Sequence, residues 1–400
     1  MKKGLDVSKA GAPWLGTFTA IGKQSGDLMK NLDKYRGCLI GGAAGDALGY
    51  PVEFLDEREI SRHYGPSGIT SYELVDGVAQ ISDDTQMALF TATGLLLGTT
   101  RGMMRGIMGS YPSYVALCYG DWLRTQTRQY PLNTEDSYSW LVNIPELFDR
   151  RAPGNTCLFA LRSGKTGTID EPINDSKGCG GVMRVAPVGL YFALEGRQVE
   201  NPDLVGAEVA AITHGHELGY IPAAALTHMI NILIHEDSSI EEAVISAIDT
   251  VKGLFPDARH LNAFVNLMER VVELAHENID DLDAIHSLGE GWVAEETLAI
   301  ATYCAIKHPD DFEAALVAAV NHNGDSDSTG AVTGNIMGAS LGISGIPNKS
   351  FENLELKDVI QEVADDLYND CQMTEFGDYE DEVWTNKYIY HTYPDVAERR

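Results

Sequence analysis

Apolar residues recur at helical spacing through nearly all of residues 35 to 370, and that period restricts the fold more than any other feature of the chain. It fills about 35–50, 84–98, 111–126, 180–195, 204–213, 219–235, 239–254, 260–278, 294–307, 311–321, 329–343 and 355–370. Strand-like alternation is scarce, and its best candidate, GITSYELVDGVAQIS at 68–82, is short. Several helical segments are rich in Ala and Gly, as in GCLIGGAAGDALG and AAITHGHELGYIPAAALTHMI, and small side chains let backbones approach closely. No Pro/Ser-rich linker or charge block divides this span, so the sequence predicts one compact all-α domain over residues 33–371. Residues 1–32 lack a sustained period and read as an appended arm. Residues 372–400 read as an acidic, aromatic C-terminal extension packing on the domain.

A chain of 400 residues can bury a large core. Its 29 Lys and Arg stand against 59 Asp and Glu, a formal net charge of -30 that would repel a polyphosphate backbone, and no basic run offsets it. Nucleic acid is therefore not an expected partner. An anionic small molecule would need bound cations or a local Arg/Lys patch, so the acidity points toward metal. The six cysteines, at 38, 118, 157, 179, 304 and 371, form no C-x-x-C and read as reduced thiols. Cys179, in a Gly-rich loop, reads as a small buried thiol before it reads as a nucleophile. The basic N-terminus lacks an apolar signal core and no run reaches the about 18 apolar residues of a membrane span, so a cytoplasmic protein without membrane contact is expected.

Two helix beginnings carry the same kit. NHNGDSDSTGAVTG (321–334) holds Asp325 and Asp327, and ISDDTQMALFTATGLLL (81–97) holds Ser82, Asp83 and Asp84. For either alone, capping is an even reading: Ser and Asp satisfy orphan N–H groups, and carboxylates in a first turn gain roughly 0.3–1 kcal/mol from the helix dipole. The pair is harder to explain so, because a cap uses one side chain and the neighbouring carboxylate adds repulsion that needs a counter-ion. Carboxylates and hydroxyls are hard oxygen ligands suited to Mg²⁺, Mn²⁺ or Ca²⁺, and the set lacks the His and Cys usual for zinc. An EF-hand is excluded by count, since the position that needs a bidentate Glu falls on Ile336.

Five blocks together resemble the ADP-ribosylglycohydrolase family, which includes the dinitrogenase-reductase-activating glycohydrolase. They are GCLIGGAAGDALGYPVEF (37–54), ISDDTQMAL (81–89), NDSKGCGGVMRVAPVGL (174–190), ITHGHELGY (212–220) and NGDSDSTGAVTGNIMGASLG (323–342), in family order. The resemblance implies a compact multi-helix orthogonal bundle with a central cleft holding two divalent cations, Mg²⁺ or Mn²⁺. It assigns metal binding to Ser82, Asp83, Asp84, Asp325, Asp327 and Ser328, where many members carry Thr at the last position; either supplies one hydroxyl. Glu53 matches the family's mobile acidic residue, although by itself it reads equally as a surface Glu after Pro51. Substrate contacts fall by the same resemblance on Ser176, Gly178, Gly180, Gly181, Met183, His214 and Tyr220.

The glycines of SKGCGGVMR permit close backbone approach, and a helix beginning near Val182 would aim N–H groups at phosphate oxygens; a tight turn before a helix is the plain alternative. Nothing before them reads as a Rossmann strand. His214 and His216 do not make a metal pair, because H-x-H on a helix points its members apart; His216 reads as a packing or solvent-facing residue. Asp46 reads as support behind the site.

The implied reaction is hydrolysis of the bond joining ADP-ribose to a protein side chain, arginine first among acceptors. It would pass through an oxocarbenium-like state, with Glu53, Asp83 or Asp84 as base. The partner is an ADP-ribosylated protein or an ADP-ribose-containing small molecule. GDYEDE (377–382), with Asp378, Glu380 and Asp381, reads as a solvated run before it reads as a guanidinium contact. A two-metal phosphoesterase and a noncatalytic family member are the competing readings.

Overall fold

The computed structural model describes residues 25–133, 135–192 and 201–393, with side chains placed from residue 32 onward. Most of the stretch read as an N-terminal arm, residues 1–24, lies outside the described residues, as do 394–400 of the extension. Sixteen α-helices occur among the described residues. The first half holds α1 (Ser25–Gly49), α2 (Glu57–Tyr64), α3 (Asp83–Arg105), α4 (Tyr111–Thr127), α5 (Asn155–Arg162), α6 (Ala186–Tyr191), α7 (Pro202–Ala211) and α8 (Glu217–His235). The second holds α9 (Ile240–Leu254), α10 (Leu261–His276), α11 (Asp281–Leu288), α12 (Ala294–Lys307), α13 (Phe312–Val320), α14 (Ser326–Leu341), α15 (Lys357–Asn369) and α16 (Glu382–Tyr388). The all-α class is confirmed, and no β-strand occurs among the described residues.

The expected strand at 68–82 does not form. Its residues make only isolated bridges, Val75 with Val78 and Ala79 with Leu354, because Asp76 and Gly77 turn the chain at φ 52° and 86°. The helix expected at 180–195 also shrinks: Cys179–Gly181 is a 3₁₀ turn and α6 begins only at Ala186, ahead of Pro187 in its first turn. Helix α8 is 19 residues long and apolar enough in length and composition to cross a membrane, against the expectation that no segment is; 78% of that window is buried inside the protein.

What positions the site is the packing of α1 against α14. Gly37, Gly41, Gly45 and Gly49 of α1 face Gly342, Gly338, Gly334, Gly330 and Ser326 at backbone contact. A Cβ at Gly45 would lie 1.9 Å from the Gly330 carbonyl oxygen, one at Gly334 1.9 Å from that of Gly41, and one at Gly49 2.2 Å from that of Ser326. Real Cβ atoms do not approach so closely, so this pair of helices requires glycine on both sides. The antiparallel seam delivers the C-terminal end of α1, with Asp46 and then Glu53, to the N-terminal end of α14, with Asp325 and Asp327.

The C-terminal extension packs on this body. Trp384 of α16 donates to Thr100 Oγ1 at 3.0 Å, Lys387 is 2% exposed between Asp366 and Glu362, and Tyr393 stacks on Trp140 with ring centroids 4.3 Å apart.

Candidate active site

Asp46 sits on the last turn of α1, fully buried, and accepts from the Ser82 amide at 3.0 Å, the Thr85 amide at 3.1 Å and the Thr85 hydroxyl at 2.5 Å. One carboxylate thus ties down the start of α3. Ser82 caps that helix by accepting from the Asp84 amide at 3.2 Å, so Asp83 and Asp84 are not needed as caps. Asp325 stands at the cap position of α14, yet its side chain caps nothing. Capping therefore explains neither acidic pair.

These elements enclose a cleft of about 510 Å³. Glu53, Asp83, Asp84, Gly178, Gly180, Met183, His214, Asp325, Asp327 and Ser328 all line it. Ligand oxygens of Glu53, Asp325 and Asp327 lie within 4.8 Å of one another, and the Ser82 hydroxyl is near enough to Asp327 to lower its pKa. Three carboxylate oxygens, Glu53 Oε2, Asp84 Oδ1 and Asp325 Oδ2, are buried with no hydrogen-bond partner among the described residues.

Ionised carboxylates at 4.8 Å repel by about 3.5 kcal/mol at an effective dielectric of about 20, several times the gain from a helix start. Protons or cations must therefore share the site. In the bare chain protons do: burial first, and then the charge on Asp327, holds Asp83 and Asp84 well above the usual carboxylate range. Asp325 is raised in the same way, Asp46 to about 7, and Glu53 to about 11 by burial and then by Asp327 and Asp325. Burial raises Asp327 too, opposed by hydrogen bonds from Asp325, the Ser328 amide and Ser82. Orphaned oxygens beside hydroxyls suit a hard divalent cation. Cys179 is close to Asp325, and burial, then the charges on Asp325 and Asp84, hold its thiol well above its ordinary range.

His214 is 1% exposed and is kept neutral, its pKa lowered to about 3 by burial and then by Arg184. Arg184 donates to Thr213 Oγ1 at 2.6 Å, and that hydroxyl lies 2.8 Å from His214 Nδ1. The opposite edge of the imidazole fronts the glycine loop, where a Cβ at Gly178 would lie 3.3 Å from Nε2 and one at Gly180 3.0 Å from Cε1. His216 is no second ligand; it starts α8, accepting from the Leu218 amide at 3.0 Å, with its ring against His260.

The loop is less of a phosphate cradle than the glycine run implied. The Cys179 amide donates to the Trp292 carbonyl, Gly181 to Gly178, and Val182 and Met183 to Cys179. No helix begins at Val182 to aim N–H groups outward. Ser176, Gly181 and Tyr220 are not in the cleft lining. Ser176 accepts weakly from the Gly178 amide at 3.4 Å, Gly181 packs on the Gly219 carbonyl, and Tyr220 lies against Phe255. The acidic run at 377–382 is absent from the lining too, and Asp381 caps α16 by accepting from Trp384.

Several lining residues carried no assignment from the sequence: Phe54, Arg150, Asn155, Thr156 and Trp292. Pro153-Gly154-Asn155 is a recognisable helix entry and could have placed α5 here. Trp292 sits on a loop held from two sides, by the Cys179 amide on its own carbonyl at 3.1 Å and by the Asp325 amide on the Glu290 carbonyl at 2.9 Å. The signal for that loop was GEGW, with Gly289 and Gly291 at φ 134° and 79°.

Comparison with known proteins agrees with this architecture. The model of the ADP-ribosylglycohydrolase family matches residues 27–376. The chain is 26% identical over 332 residues to the ADP-ribosyl-[dinitrogen reductase] glycohydrolase of Rhodospirillum rubrum, covering 81% of this chain and 91% of that protein. It is 26% identical over 366 residues to the ADP-ribosylarginine hydrolase Tri1 of Serratia proteamaculans (strain 568), covering 89% and 83%. A solved structure titled ADP-ribosylglycohydrolase-related protein complex has the same fold, with a TM-score of 0.57 at 24% identity over 85% of this chain and 99% of that one.

Proposed function

The chain belongs to the ADP-ribosylglycohydrolase family and is a hydrolase of ADP-ribose linkages, and on that premise we propose that it removes ADP-ribose from modified arginine in a protein, with two divalent cations, Mg²⁺ or Mn²⁺, in its cleft. The observation that carries this reading is the convergence of Glu53, Asp83, Asp84, Asp325 and Asp327 on one cleft with three orphaned oxygens among them. The arginine acceptor is supported by the name of the Serratia relative.

Ser82, Asp83, Asp84, Asp325, Asp327 and Ser328 would hold the cations, which when bound orient the distal ribose and acidify a water. Gly178 and Gly180 leave a flat wall for the ligand, and neutral His214 offers a ring nitrogen at that wall. Glu53, which lines the cleft beside Asp325 and Asp327 and is not among the residues given to the cations, is the carboxylate we assign to move a proton at the anomeric centre.

The test is to incubate the protein with arginine-, serine- and terminal-phosphate-linked ADP-ribose in Mg²⁺, in Mn²⁺ or in EDTA, beside Asp327→Ala. Release of intact ADP-ribose from the arginine linkage, abolished by EDTA and by the variant, is expected. Release of AMP instead would indicate a phosphoesterase, and turnover in EDTA would refute the role given to cations.

A further inference from the structure

Beside the cleft lies a second concavity of about 520 Å³, lined by Glu53, Phe54, Leu55, Asp56, Glu57, Arg58, Glu290, Trp292, Asn323 and Gly324. The two hollows share one wall, made of Glu53, Phe54 and Trp292. The rings of Phe54 and Trp292 stack at 6.0 Å and 19°, although Phe54 is 72% exposed and Trp292 39%. Glu53, by contrast, is 7% exposed, and its Oε2 is without a partner among the described residues. An exposed aromatic pair flanking a buried, unpartnered carboxylate marks a surface built for contact rather than for packing.

The chemistry of the second hollow is opposite to that of an anion site. Four carboxylates, Glu53, Asp56, Glu57 and Glu290, stand against one guanidinium, Arg58. Asp56 is committed to capping α2, and Glu57 contacts His286 at 2.5 Å. The exposed Glu290 side chain has no hydrogen-bond partner among the described residues, while its backbone carbonyl is fixed by the Asp325 amide. Aromatic faces beside carboxylates are the groups that take a planar cation. The volume exceeds what one guanidinium fills and is that of a ligand several residues long.

We propose that this second concavity is the acceptor subsite, and that it takes a positively charged polypeptide segment carrying the modified arginine, with the scissile bond crossing the Glu53–Phe54–Trp292 wall. The inference rests on the arginine-directed hydrolase reading above and narrows it: the substrate is a basic stretch of protein rather than a small ADP-ribose conjugate. Glu290 and Trp292 set specificity. They grip the departing side chain and its neighbours, and Glu290, which lines only the second concavity, does not face the ADP-ribose cleft.

The test compares two ADP-ribosyl-arginine peptides, one with Lys and one with Glu flanking the modified residue, on wild type, Glu290→Gln, Glu290→Asp and Trp292→Leu with Mn²⁺ present. Wild type should prefer the Lys-flanked peptide by about tenfold or more in kcat/KM, carried by KM. Glu290→Gln and Trp292→Leu should each lose most of that preference, and Glu290→Asp should keep it. Calorimetric affinity for free ADP-ribose, measured in parallel, should be unchanged by Glu290→Gln. Wild type that cleaves both peptides equally, or variants that keep the preference, would overturn the subsite while leaving the hydrolase reading intact. Wild type that releases ADP-ribose from serine but from neither arginine peptide would overturn the acceptor reading and the subsite with it.

Discussion

Asp46 is not among the residues given to the cations, yet it fixes three groups at the start of α3, the Ser82 amide among them, through four hydrogen bonds. Replacing it with Asn removes an acceptor for the Thr85 and Ser82 amides without changing volume. Asp46→Asn should weaken Mn²⁺ affinity about 10–100-fold while the fold persists, as read by calorimetry and circular dichroism. Glu53→Gln should separate chemistry from binding: turnover falls about 10²–10⁴-fold and ADP-ribose affinity holds, measured by single-turnover kinetics and titration. The acidic pairs at 83–84 and 325–327 were legible in the sequence because adjacent like charges at a helix start oppose the rule that would otherwise explain them. Trp292 and Arg150 were not legible, since an isolated aromatic or basic residue in a loop has no periodicity and acquires meaning only from what the fold sets beside it.

At the scale of elements, the decisive feature is the α1–α14 glycine seam. Gly334→Ala places a methyl 1.9 Å from the Gly41 carbonyl oxygen, inside any allowed contact. The helices must then separate, at a cost of about 1–3 kcal/mol or more, and Asp325 and Asp327 move away from Asp46 and Glu53. The variant should melt lower and bind metal more weakly than wild type. Gly253→Ala, near the end of α9 where a Cβ meets nothing within 4 Å, should be neutral or stabilising by up to about 1 kcal/mol. The long helices could be read from their apolar period. Short ones such as α2, with Ile60 alone buried, could not, because eight residues give barely two turns in which to display a stripe. The supposed strand at 68–82 failed for the opposite reason: alternation was present, but no neighbouring strand exists among the described residues to pair with it.

For the molecule as a whole, the buried acidic cluster links stability to pH and to metal. Its carboxyls have raised pKa values in the folded chain, Asp46 to about 7, against about 3.9 when unfolded. The folded state therefore holds protons that the unfolded state has released. That contribution is fully present below about pH 4 and is lost as pH rises toward 7. EDTA-treated protein should melt at a lower temperature at pH 8 than at pH 5, and Mn²⁺ should abolish the difference by replacing the protons. Asp84→Asn should raise the melting temperature of the metal-free form at pH 8, since it removes a buried carboxyl that folding must either protonate or leave repelled, and lower that of the Mn²⁺ form. Composition foretold the acid excess but not its concentration in one cleft, which depends on α1, α3 and α14 meeting.

The account stands on the two acidic helix starts acting together as a cation cage. Calorimetric titration of Mn²⁺ into metal-stripped protein at about pH 7.5, beside Asp327→Ala, tests it most directly. Two ions bound per wild-type chain, with binding lost or reduced in the variant, is the expected result. No uptake by wild type, or equal uptake by both, would contradict it.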